Sequence, residues 1–256
     1  MDLTKLFSLK GRTALITGGS RGIGRIIAQA YLIQGARVYI SARGAEDCDR
    51  TATELSEYGE VFSLPADVST LDGARELSNT YAKREDALDI LVNNAGTAWG
   101  APFDEFPESG WDKVVDLNLK TPFFLTQCLA PLLRKTATQN LPKVINIASV
   151  DGISVGPRET YSYAASKAGL IQLTRLMALR LAPERIVVSA IAPGAFATDL
   201  NKSARDHGDD VAAYIPLGRI GTPEDIAGAA VYLASRAGDY VVGSTLIVDG
   251  GATHAR

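Results

Sequence analysis

Tyr163 and Lys167 stand four residues apart, with Ser149 a short way upstream. On a helix each residue advances about 100°, so a four-residue step returns to within roughly 40° of the same face. Tyr163 and Lys167 therefore share a face, whereas Tyr161, six residues from Lys167 and turned by roughly 240°, points elsewhere. A free phenol ionises near about pH 10, and an adjacent ammonium favours the phenolate. The pair is thus expected to bring Tyr163 below its ordinary range and to make it a general acid. The same spacing also describes an ordinary surface pair on an amphipathic helix, so the chemical reading draws its weight from the surrounding chain.

Seven short apolar, β-branched runs, at 12–17, 37–42, 61–66, 88–92, 143–148, 186–191 and 244–248, alternate with stretches of helical period at 23–34, 71–83, 111–133, 163–181 and 223–235. Continuous apolar strands separated by helices predict a parallel sheet covered on both faces, and right-handed crossovers make it doubly wound. The expected fold class is α/β, a Rossmann-type seven-stranded parallel sheet in a single domain over residues 1–256. Ser149 lies just past the fifth run, at the carboxyl edge where open parallel sheets bind ligands. The long irregular stretch at about 196–215, rich in Asp, Arg, Asn and Gly, is expected to be a lid.

With 256 residues, 46% of them hydrophobic and 21% charged, the chain can bury one large core. A net charge of −3 without a Lys/Arg cluster argues against nucleic acid and against an anionic membrane surface, leaving a small-molecule partner. No apolar run has the length of a signal peptide core or a membrane span, so a cytoplasmic protein is expected. Two distant cysteines, Cys48 and Cys128, and two histidines, His207 and His254, offer no metal-ligand cluster, and no metal site is expected.

Directly after the first strand the chain reads Thr17-Gly18-Gly19-Ser20-Arg21-Gly22-Ile23-Gly24 and enters a helix. Glycines permit positive φ and close approach of backbone amides to a pyrophosphate, and the helix N-terminus adds partial positive charge. Gly18, Ser20, Arg21, Gly22, Ile23 and Gly24 are the candidate phosphate-binding residues. Where a carboxylate would hold an NAD ribose at the end of the second strand, this chain has Ser41-Ala42-Arg43. Arg43, joined by Arg21, can meet a 2′-phosphate with charge-assisted bonds, so the expected cofactor is NADPH rather than NADH. Glu46 and Asp47 are assigned to the first turn of the following helix as partners of its dipole.

From about residue 11 to 251 the order of the glycine turn, Asp67-Val68, Asn93-Asn94-Ala95-Gly96, Asn118, Ser149, Tyr163-Ala164-Ala165-Ser166-Lys167 and Pro193-Gly194 resembles the short-chain dehydrogenases/reductases. The resemblance implies that Asp67 and Val68 flank the adenine, and that Asn94, Ala95 and Gly96 line the cofactor cleft. It further implies that Ser149 binds the substrate carbonyl, Tyr163 donates the proton, Lys167 holds the nicotinamide ribose and lowers the tyrosine's pKa, and Asn118 positions a relay water. Pro193, Gly194, Phe196 and Thr198 would contact the nicotinamide end. Such donors suit a reaction in which hydride arrives at carbonyl carbon and charge develops on oxygen.

Family resemblance points to a 3-oxoacyl thioester as substrate, with another ketone or a sugar as the alternative and a non-catalytic NADPH-binding protein as a remote one. The acyl pocket is expected at the lid and the 152–158 loop. Glu184 weakens the case for an acidic carrier protein while Arg134, Lys135, Arg180 and Arg185 leave it open, so carrier-bound and coenzyme A-bound chains both stay open. Phe123, Phe124, Leu129, Leu170, Leu173 and Met177 make two helices apolar on several sides, which predicts a second buried face. In related reductases these helices pair across a two-fold axis, and residues near 244–251 form a further contact, implying a homotetramer, with a dimer as the alternative.

Overall fold

In the computed structural model, which describes residues 1–255, the strands β1 (Thr13–Thr17), β2 (Arg37–Ser41), β3 (Val61–Ser63), β4 (Ile90–Asn93), β5 (Lys143–Ile147), β6 (Val187–Pro193) and β7 (Thr245–Val248) form one parallel sheet. Their order is β3-β2-β1-β4-β5-β6-β7. The chain winds outward from β1 in one direction and from β4 in the other, so the crossovers diverge at the carboxyl ends of these two neighbours and leave a crevice there.

The helices are α1 (Leu3–Phe7), α2 (Gly22–Ile33), α3 (Ala45–Leu55), α4 (Leu71–Ala82), α5 (Glu108–Val115), α6 (Thr121–Thr136), α7 (Tyr161–Leu181), α8 (Lys202–Asp206), α9 (Gly208–Ala212) and α10 (Pro223–Ala234). Alternation along the strands feeds two cores. Ala14 and Ile16 of β1 pack with Ile27 and Tyr31 of α2 and Ile226 and Leu233 of α10. Leu15 faces the other way, onto Leu77 and Tyr81 of α4, Leu125 and Leu129 of α6 and Met177 of α7. Each fully buried Leu or Ile contributes about 1.5–3 kcal/mol, which is why helices on both faces are held to one sheet.

Several expectations shift. The third strand spans Val61–Ser63 rather than reaching 66, and Pro65 beyond it falls on the open side of this edge strand, where no N–H is needed. Leu64 and Ala66 on either side still donate to Ile40 and Ala42. The helix expected over 111–133 is instead α5 and α6 joined by a π-helical turn, Asp116–Lys120, in which the Thr121 N–H reaches back five residues to the Asp116 carbonyl. The catalytic-side helix begins at Tyr161, two residues before the expected start, and Glu46 and Asp47 occupy the first turn of α3. Within the expected lid the chain forms α8, started by an Asn201 side chain that accepts from Ala204 N, and α9. Of the six apolar residues expected on outer helix faces, Leu129, Leu170 and Met177 are buried within the chain itself, while Phe123 is exposed together with Leu176 and Leu179. Among the described residues no helix is long and apolar enough to cross a membrane.

Candidate active site

Four of the expected residues converge at the carboxyl edge of β4 and β5. Ser149, buried, follows β5, and its Oγ accepts from the Asp151 N–H at 3.1 Å. Tyr163 lies on the first turns of α7, half-buried, and hydrogen-bonds the Ser149 side chain. Lys167, one turn on, is only 4% exposed and its Nζ stands 5.6 Å from the Tyr163 ring centre. It donates to the Ile147 carbonyl at 2.7 Å, the last residue of β5.

Asn118 sits in the π-helical turn, whose extra residue carries its side chain inward to a site only 1% exposed. Its Oδ1 accepts from Thr97 N and its Nδ2 donates to Thr97 O, both at 2.9 Å, with a further bond to Ser166 Oγ at 3.2 Å. Ser166 Oγ in turn donates to the Tyr163 carbonyl at 2.8 Å. Gly96 allows this convergence: a Cβ there would lie 3.3 Å from Asn118 Oδ1 and 3.7 Å from Lys167 Nζ. Tyr161, as expected, turns away, its hydroxyl on Glu159 and its ring against Phe103 and Phe106.

One electrostatic expectation is reversed. In the chain alone burial pushes the Tyr163 phenol up, Ser149 offsets part of the rise, and Lys167 does not bring it down. The reason is that Lys167 is itself desolvated: with a carbonyl instead of a carboxylate for a partner, its ammonium is lowered to about 8.

The glycine turn fits a dinucleotide pyrophosphate. Gly18 has φ +65°, and a Cβ on it would meet Asn94 Nδ2 at 2.8 Å, while one on Gly24 would lie 2.3 Å from Gly18 O. Asn94 is therefore the clamp of this turn, donating to Thr17 O at 2.9 Å and Gly18 O at 3.1 Å. Thr17 Oγ1, which sequence reasoning missed, accepts from both Asn94 N and Ala95 N at 3.1 Å. The N-terminus of α2 has no side-chain cap, since Arg21 at that position makes none, so its first amides are available to an anion. Ile23 is half-buried, and the Ser20 carbonyl is held by Thr51 Oγ1 at 2.9 Å.

Arg43 is exposed two residues beyond β2 and helps hold the Asp67 carboxyl low, though Ser69 contributes most to that shift. Val68 beside it is buried. Arg21 points to the lid, 3.7 Å from Asp199, and Thr198 lies over the turn, its Cγ2 3.5 Å from where a Gly22 Cβ would be. Pro193 and Gly194 close β6, the latter donating to Val248 O at 2.9 Å. Phe196 is 4% exposed with its ring seated on Gly221.

The loops flanking the crevice carry exposed apolar side chains: Ile153 and Val155 on one, Leu200, Tyr214 and Leu217 on the other. The basic residues considered for a carrier protein lie elsewhere. Helix α7 starts at the site and runs 21 residues, about 30 Å, to the opposite edge of the sheet. There Arg134 and Arg180 both bind Glu184, and Arg185 donates to Ala137 O. Thr97, Ser166 and Asp151 were not among the expected site residues. Ser166 was readable as the fourth residue of the tyrosine-lysine motif, but nothing local marks the other two.

Residues 18–253 match a family model described as enoyl-(acyl carrier protein) reductase. The chain is 49% identical over 249 residues to the rhamnolipids biosynthesis 3-oxoacyl-[acyl-carrier-protein] reductase of Pseudomonas aeruginosa, covering 96% of this chain and 97% of that protein. It is 39% identical to the 2-dehydro-3-deoxy-D-gluconate 5-dehydrogenase of Dickeya dadantii over 96% of each chain. Among solved structures, the Pseudomonas aeruginosa RhlG/NADP active-site complex superimposes with a TM-score of 0.94 at 48% identity, covering 97% of this chain and 99% of that one. With the glycine turn, the tyrosine-lysine helix and the serine at the end of β5 gathered at one sheet edge, and with relatives this similar along their whole length, the chain belongs to the short-chain dehydrogenase/reductase family.

Proposed function

We propose that the protein is an NADPH-dependent oxidoreductase that reduces a 3-oxoacyl thioester to the 3-hydroxyacyl product. The observation that carries this reading is the buried Lys167, held without a carboxylate on the same helix face as Tyr163 and beside Ser149. Bound NADPH supplies the hydride to the ketone carbon. The glycine turn and the α2 N-terminus would hold its pyrophosphate, Arg43 and Arg21 its 2′-phosphate, Asp67 and Val68 its adenine, and Lys167 its nicotinamide ribose. Backbone of Asn94 to Gly96, Pro193, Gly194 and Phe196, with Thr198, would border the rest.

Ser149 Oγ donates a hydrogen bond to the ketone oxygen and orients it. Tyr163 Oη, whose burial keeps it protonated, delivers its proton to that oxygen as charge develops. Asn118, through Thr97 and Ser166, holds the π-helical turn against α7 and stands where a water can return a proton through Lys167. Exposed apolar residues on both flanking loops favour an acyl chain over a sugar. The relatives named as acyl-carrier-protein reductases support a carrier-bound thioester, and the product would serve rhamnolipid or other lipid synthesis in the cytoplasm. The exposed Phe123, Leu176 and Leu179 on α6 and α7 are surfaces for assembly into a homotetramer.

The test is NADPH oxidation by the purified protein with acetoacetyl-coenzyme A, acetoacetyl carrier protein, simple ketones and sugars. The thioesters are expected to be turned over fastest; a sugar as the preferred substrate would sink the assignment. Tyr163→Phe is expected to cut turnover by about 10²–10⁴ while leaving NADPH binding intact. Arg43→Glu is expected to weaken NADPH far more than NADH, and an unchanged preference would place the 2′-phosphate elsewhere.

A further inference from the structure

Between Ser149 and α7 the chain makes a single 3₁₀ turn, Val150–Gly152, and then a loop that returns at Arg158. The turn is pressed onto the catalytic helix: a Cβ on Gly152 would come within 2.6 Å of the Lys167 carbonyl carbon and 2.7 Å of Ala168 N. Its middle residue, Asp151, donates its backbone N–H to Ser149 Oγ. The Asp151 carboxylate is therefore carried on a wedge set between two members of the site, with its side chain only 20% exposed. Arg158 covers it from across the loop, one guanidinium nitrogen lying 3.1 Å and 3.4 Å from the two carboxylate oxygens.

We propose that the Asp151–Arg158 ion pair is a positioning device of the reductase site, closing the 151–158 loop and cancelling the Asp151 charge beside Tyr163. A pair with a half-exposed arginine contributes little to folding, so stability does not account for it. Its charges act instead on the phenol: the carboxylate opposes ionisation of Tyr163 and the guanidinium favours it, on top of the larger effect of burial.

Several charged groups on the neighbouring elements have partners of their own, while the Lys167 ammonium stands against the ring without a carboxylate. On α7 itself Lys167 lies against the ring. On α5 and the π-helical turn, Lys113 rests on the Trp99 ring, Asp116 pairs with Lys120, and Asn118 is neutral. Glu159 is engaged by Phe103 N and Tyr161 Oη, and in the lid Arg205 pairs with Asp199 and Asp206. The 151–158 pair thus adds a carboxylate and a guanidinium of opposite effect on the loop side of the proton donor, beside the Lys167 ammonium on α7.

This inference rests on Tyr163 as the proton donor, and its test separates the two. Protein labelled with [¹³Cζ]tyrosine is titrated by NMR, with Tyr163→Phe identifying the signal, alongside the pH profile of acetoacetyl-coenzyme A reduction. Arg158→Gln is expected to raise the apparent pKa of Tyr163 by about half a unit to one unit, Asp151→Asn to lower it by a similar amount, and the double variant to restore it. The activity profiles should move with the NMR values at unchanged melting temperature. Single variants that leave the Tyr163 titration in place, or that move it in the same direction, overturn the proposal even if turnover falls. Should Tyr163→Phe keep full activity, the proton-donor assignment fails, while the NMR titration still decides whether the pair controls the phenol.

Discussion

Two lysines mark the two ends of β5, equally deep and in opposite company. Lys143 begins the strand, at the edge away from the crevice, and its Nζ meets Asp239 at 2.7 Å. Lys167 reaches the end of the same strand and, among the described residues, hydrogen-bonds the Ile147 carbonyl without a carboxylate partner. Burial lowers the pKa of both, but at Lys143 the carboxylate offsets the shift, whereas at Lys167 desolvation acts alone and brings the ammonium to about 8. The far edge gives its cations counter-charges: Arg12 beside it donates to Ala234 O and Leu141 O, and its Nε, though without a hydrogen bond, lies 3.7 Å from Asp89. The crevice edge leaves a cation underpaired, at a cost in stability that fits the proposed role of Lys167 in holding a ribose hydroxyl and passing on a proton.

This contrast can be broken most severely at Lys167. Replacing Lys167 with Met is expected to lower turnover by orders of magnitude while the melting temperature holds or rises, because an unpaired buried cation is removed. A variant that loses both activity and fold would make the lysine structural. At the other end, Asp239→Asn removes the counter-charge of Lys143 and, with the Asp239 side chain 37% exposed, is expected to cost about 1–3 kcal/mol by chemical denaturation with turnover per folded molecule unchanged. Loss of catalysis there, without loss of stability, would erase the distinction between the two edges.

A finer test uses pH. The folded pKa of Lys167 is below its unfolded value of 10.5, so below about pH 8 both states carry the proton and the burial penalty is complete. As pH rises from about 8 towards 10.5 the folded state gives up its proton first, the unfolded chain binds more, and folding stability rises. Relative to Lys167→Met, the wild-type chain is therefore expected to gain stability in that window, by up to about 3 kcal/mol. A flat difference between the two would mean that the ammonium is solvated in the folded protein.

Legibility followed the range of the interactions. The glycine turn, the Tyr163–Lys167 face and Ser149 past an apolar strand are local patterns, and each lies where spacing puts it. Asn118 was found as a residue but not as a structure: 111–133 reads as one helix because a single π-helical turn hardly disturbs apolar periodicity, yet that turn is what carries the amide inward. Thr97 and Asp151 left no trace, since their partners stand 21 and 7 residues away. The basic residues near the ends of α6 and α7 misled because a position along the chain does not reveal which edge of the sheet it reaches.

The order of apolar runs and helices, and the residue types at each strand end, were enough to determine a doubly wound sheet with its chemistry at the carboxyl edge, since period and chain connection leave few other ways to bury those faces. Protonation was decided only by tertiary packing. Whether Lys167 lowers Tyr163 or is itself lowered depends on how much water and which counter-charges the folded chain leaves around each group, and no spacing along the sequence carries that information.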